Sequence, residues 1–132
     1  MSREERAATT PLRAYLVDDE PLALKRLARL LDATGRVTLV GSNDDPRAAL
    51  EFLRHNTVDV LFLDIEMPEL NGFELAGRLE SQPLNVFTTA FDRYALRAFE
   101  VNSIDYLLKP VERAQLERAL TKLERLRGSG YP

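Results

Sequence analysis

The sequence predicts a doubly wound α/β domain built on a five-stranded parallel sheet. Short, nearly continuous apolar runs recur at residues 12–17, 58–63, 84–88 and 104–108, the pattern of strands buried on both faces. Stretches with helical apolar spacing separate them. Acidic side chains close two of the runs, Asp18 and Asp19 the first and Asp64 the second, which is where open α/β sheets gather ligands at their carboxyl edges.

The elements follow in order. The first strand, 12–17, leads to Pro21, a residue that suits the first turn of a helix because its missing N–H would go unpaired there anyway. One of Asp18, Asp19 and Glu20 is expected to cap that helix. Leu24, Leu27 and Leu31 give it one apolar face and Gly35 stops it. Residues 37–40 form a weaker strand. Pro46, preceded by acids, opens a second helix that buries Ala49 and Leu53. After the strand 58–63, Asn71-Gly72 introduces a third helix, and that helix or its loop is expected to be truncated near residues 81–83, since 25 positions separate Asp64 from Thr89. The strand 84–88 precedes a helical segment within 91–100. The strand 104–108 precedes a last helix packed through Leu116, Leu120 and Leu123. The expected boundaries are a flexible extension over 1–11, one domain over 12–127 and the start of a linker over 128–132, where Gly128-Ser129-Gly130 breaks the helical pattern.

Composition narrows the function. A chain of 132 residues, 45% of them hydrophobic, holds one core of ordinary size. No apolar run approaches the roughly 18 residues a membrane span requires. The absence of cysteine excludes disulfides and thiol catalysis. The first eleven residues lack a signal-peptide pattern, so a cytoplasmic location is expected. Net charge is -3 and the 18 basic residues are dispersed, which argues against nucleic-acid binding by this domain itself.

Three carboxylates on one sheet edge repel one another unless a cation holds them, and an all-oxygen donor set with room for water suits Mg²⁺. A second group joins them: Thr89-Ala90 closes the strand 84–88 and Lys109-Pro110 closes 104–108. Asp-Asp, a lone Asp, Thr-Ala and Lys-Pro, each ending a strand in this order, resemble the receiver domain of two-component response regulators. Within that family, Asp64-Ile65-Glu66-Met67-Pro68 with Asn71-Gly72, and residues 98–102 with Asp105-Tyr106-Leu107-Leu108-Lys109-Pro110, are most similar to receivers of the LytTR type.

The resemblance implies a flavodoxin-like sheet of order 2-1-3-4-5. It implies that Asp64 accepts a phosphoryl group from a sensor histidine kinase, with Mg²⁺ held by Asp18, Asp19, Asp64 and the backbone carbonyl of Glu66. It implies that Lys109, the Thr89 hydroxyl and the Ala90 N–H take phosphoryl oxygens, that Lys109-Pro110 is cis, and that Thr89 and Tyr106 form the switch. The responding face would be residues 91–100, the strand 104–108 and the last helix, a candidate surface for a phosphorylation-dependent homodimer. A DNA-binding output domain would carry the effect on transcription. Thr88 places a second hydroxyl beside Thr89, and Thr89 is expected to face the phosphate because Ala90 follows it directly. Phe91, two positions beyond Thr89, is expected to exclude water, and His55 to be a plain surface residue. The chain is expected to be no enzyme beyond its own phosphorylation and dephosphorylation. The alternatives are a Mg²⁺-dependent aspartyl-phosphate phosphatase, which would want a second Asp where Glu66 stands, a flavin carrier, which Asp18-Asp19-Glu20 would disfavour by repelling phosphate, and a stand-alone receiver acting through protein contacts.

Overall fold

The computed structural model describes residues 10–81, 83–100 and 103–128, apart from the side chains of Leu96, Phe99 and Glu100. Most of the expected N-terminal extension, Gln82, Val101, Asn102 and the tail from 129 lie outside the described residues. Five βα units alternate along the chain: β1 (Leu12–Val17), α1 (Pro21–Thr34), β2 (Val37–Asn43), α2 (Pro46–His55), β3 (Val60–Asp64), α3 (Gly72–Gly77), β4 (Leu84–Thr89), α4 (Ala95–Glu100), β5 (Asp105–Leu108) and α5 (Arg113–Gly128). A 3₁₀ turn, Asp92–Tyr94, leads into α4. The strands pair in the order β2-β1-β3-β4-β5, all parallel, as the resemblance implied.

Strand alternation divides the core in two. Leu12, Ala14, Leu16, Val60, Phe62, Val86 and Leu107 meet the leucines of α1 and α5 on one face. Tyr15, Val17, Leu61, Leu63 and Phe87 meet α2, α3 and Ala98 of α4 on the other. Every leucine expected to face the core from α1 and α5 is buried.

Local chemistry sets the helix ends. Asp45 accepts a hydrogen bond from Arg47 N–H and caps α2, but no side chain caps α1. The expectation that one acid of 18–20 would cap α1 is therefore corrected. Asp18 instead accepts from the Glu20 N–H at 2.9 Å, a tight turn that keeps its carboxylate at the sheet edge. Gly35 ends α1 at φ 66, a conformation that favours glycine. The third helix spans only six residues and ends at Gly77, so of helix and loop it is the helix that is short. A reciprocal pair starts it, Asn71 accepting from Glu74 N–H and Glu74 from Asn71 N–H. The second strand runs to Asn43, three residues further than apolarity suggests, because pairing with Tyr15, Leu16 and Val17 carries Gly41-Ser42-Asn43 along beyond a register shift.

Candidate functional site: an acidic crevice at the carboxyl edge

β1 and β3 are neighbours, so their acids converge. Asp64 is the last residue of β3, and its strand is held in register by the Ile65 N–H bonding Thr88 O at 3.0 Å. Gly72 then lets the following loop fold back on β3. Its N–H donates to Ile65 O at 3.0 Å, and a Cβ there would stand 2.4 Å from the Asp64 carbonyl oxygen. From the far side, Lys109 N–H bonds Thr89 O at 2.7 Å, pinning the end of β5 to β4. The Lys109-Pro110 bond is cis.

Carboxylate oxygens of Asp18, Asp19, Glu20 and Asp64 all lie within 4.8 Å of one another. Asp18 and Asp64 are buried. Lys109 Nζ stands 2.7 Å from Asp18, 3.3 Å from Glu20 and 3.5 Å from Asp64, so the ammonium sits mainly on Asp18. Burial, then the neighbouring Asp18 carboxylate, push the Asp64 carboxyl up to about 8 against the opposing pull of Lys109. Burial alone would lower Lys109, yet the Asp18 hydrogen bond and the surrounding carboxylates outweigh it and raise the ammonium's pKa. Among the described residues the crevice thus carries more negative charge than the close Lys109 ammonium neutralises. All its donors are oxygens, so the residues present fit a hard divalent cation.

Alternation separates the two threonines. Thr88 lies opposite Asp64 in register and, like Val86, points toward α1, where it lines a cavity of about 350 Å³ with Asp18, Leu27, Ala90 and Lys109. Thr89 points to the other face, and its Oγ1 accepts from the Phe91 N–H at 3.2 Å. The Phe91 carbonyl accepts from the Tyr106 hydroxyl. Residue 91 therefore joins Thr89 and Tyr106 through its own peptide groups.

A response regulator receiver domain model matches residues 14–121. The chain belongs to that family. This receiver is 44% identical over 117 residues to an uncharacterized response regulatory protein of Vibrio parahaemolyticus, covering 87% of the chain and 48% of the relative. It is 42% identical to the transcriptional regulatory protein BtsR of Escherichia coli K12, covering 88% of the chain and 49% of that protein. It is 41% identical to the sensory transduction protein LytT of Bacillus anthracis, covering 89% of the chain and 49% of that protein. The chain spans about half the length of these curated relatives. Among solved structures, the response regulatory domain of mrkE from Klebsiella pneumoniae superposes with a TM-score of 0.81 at 37% identity, over 89% of this chain and 99% of that one. The receiver of the regulator NarL from Mycobacterium tuberculosis gives 0.78 at 29%, over 87% and 97%.

In this receiver the structure brings together Asp18, Asp19, Asp64 and Lys109, and adds Glu20, which sequence reasoning treated only as a cap or a phosphate repellent. Glu66 stands at the rim with its side chain turned to Arg93 and Tyr94. His55 is exposed, as expected, but not isolated: Glu51 lies 3.0 Å away, one helical turn back. The pairing of Arg93 with Glu66 had no signal in the sequence, because the two are distant along the chain. Among the described residues no helix is long and apolar enough to cross a membrane.

Proposed function

We propose that this receiver domain takes a phosphoryl group on Asp64 from a sensor histidine kinase. The observation that carries the reading is the convergence of Asp18, Asp19 and Asp64 with the Lys109 ammonium at one sheet edge. An Asp64 oxygen forms the new bond to phosphorus as the phosphorus–nitrogen bond of a phosphohistidine breaks, and the departing imidazole takes up a proton. Asp18, Asp19, Asp64 and the Glu66 carbonyl would hold Mg²⁺, which supplies the charge neutralisation that attack of one anion on another demands. Lys109 offers a further point charge, and turns from Asp18 toward a phosphoryl oxygen when one arrives. Thr89 and the Ala90 N–H take another oxygen.

Drawing the Thr89 hydroxyl toward a phosphoryl group removes the acceptor from Phe91 N–H, and Phe91 carries the carbonyl on which Tyr106 rests. A local electrostatic event thereby reaches β5 and the face formed with α4 and α5. The relatives named as transcriptional and sensory transduction proteins support an output on transcription through a DNA-binding domain elsewhere in the protein, with the receiver working in the cytoplasm and contacting neither nucleic acid nor membrane.

Incubation with acetyl phosphate and Mg²⁺ is expected to add one phosphate, seen by intact mass. Asp64→Asn or chelator abolishes the adduct. An undiminished adduct on Asp64→Asn overturns the assignment.

A further inference from the structure

A cluster outside the acidic crevice joins the loops that leave the neighbouring strands β3 and β4. The Arg93 guanidinium bonds Glu66 Oε1 at 2.5 Å and the Tyr94 hydroxyl at 3.1 Å, while that hydroxyl donates to the same Glu66 oxygen. The guanidinium carbon also lies 4.4 Å from the ring centroid of Phe91 and 4.9 Å from that of Tyr94. Tyr94 meets Phe73 of α3 edge-on at 6.2 Å. One arginine thus grips a carboxylate two residues past Asp64 and a ring two residues past Thr89.

Exposed ion pairs contribute little singly. Here the same planar group serves an ion pair and two aromatic faces at once, which an ammonium does less well. The segment it grips is also the one that must move. Phe91 is bonded to Thr89 and Tyr106 through its backbone and covered by Arg93 through its ring. We propose that Arg93 is a latch: it fastens the Glu66 loop to the segment opening α4 and so holds the switch face in its unphosphorylated arrangement. Arg93 bonds the side chain of Glu66, whereas the metal donor proposed for that residue is its backbone carbonyl, so Arg93 acts by positioning. The consequence for signalling rests on the acceptor reading of Asp64: a weaker latch means that less phosphorylation is needed to move the face.

Hydrogen exchange on the unphosphorylated protein tests it. Arg93→Ala is expected to speed exchange of amides 91–98 about three- to fivefold, with β1 and β3 amides unchanged as the control for intact folding. Arg93→Lys is expected to fall between, keeping charge but losing the planar contact. Glu66→Gln is expected to act alike, and the double variant to exceed neither single one by much, since both break one network. Unchanged exchange in Arg93→Ala, or effects of Arg93→Ala and Glu66→Gln that simply add, overturns the latch. No phosphodonor enters these measurements, so a chain that accepts no phosphate would refute the acceptor reading while the exchange data still decide the latch.

Discussion

Asp64 shows how a side chain's usefulness conflicts with its comfort. It is buried beside Asp18, and Lys109 lies closer to Asp18 than to it. Because its folded pKa is raised to about 8, the folded chain binds more protons than the unfolded one between about pH 4 and 8. Stability therefore falls as pH rises through that window. Asp64→Asn removes the conflict and is expected to stabilise the metal-free protein at pH 7 by about 1–2 kcal/mol, a figure kept small because the exposed Glu20 opens the crevice edge to solvent. The gain should vanish below about pH 4, where both states are protonated. Urea titrations of parent and variant in chelator at pH 4 and 7 check this, and equal midpoints at pH 7 would contradict it.

At the scale of elements, the loop between β3 and α3 shapes the site more than either element does. Gly72 brings this loop within 3 Å of β3 through the Ile65 carbonyl, and a methyl group there would overlap the Asp64 carbonyl at 2.4 Å. That obstacle is backbone, so it yields only by shifting the strand end or the loop. Gly72→Ala is expected to cost about 2–4 kcal/mol and to lower phosphate uptake as well, since the acceptor moves with its strand. Loss of stability with uptake preserved would mean that the loop relaxes rather than β3. The short α3 survives because its Asn71 and Glu74 cap is complete.

Across the whole molecule, the proposed switch face is largely occupied by contacts within the chain. Ala98 is buried and Tyr94 packs on the core, while the side chains of Leu96, Phe99 and Glu100 lie outside the described residues. Several charges on this face already pair within the chain: Arg93 with Glu66, Arg113 with Glu117, and Arg118 with Asp105. Phe91 and Leu108 remain as exposed apolar groups. Self-association would then exchange internal pairs for intermolecular ones, so it is expected to be weak before phosphorylation and stronger after it. Sedimentation with and without acetyl phosphate measures this, and a monomer in both states at high concentration rules the dimer out for this domain.

Local signals carried much of this far. Apolar runs, with proline and glycine at helix ends, determine five βα units, because strand burial and helix periodicity are written in neighbouring residues, while the Asp64-to-Thr89 interval left helix or loop to be shortened. Asp18, Asp19, Asp64, Thr89 and Lys109 were legible as a set because each closes a strand, and parallel strands present their ends together. What the tertiary structure decided depends on pairs far apart in sequence. Alternation along β4, fixed by register with β3, sends Thr88 toward α1 and Thr89 toward Phe91. Close approach of strand ends adds Glu20 to the acidic cluster and seats Lys109 on Asp18. The crossing of two loops makes Arg93 a partner of Glu66, 27 residues away, a contact no local pattern encodes.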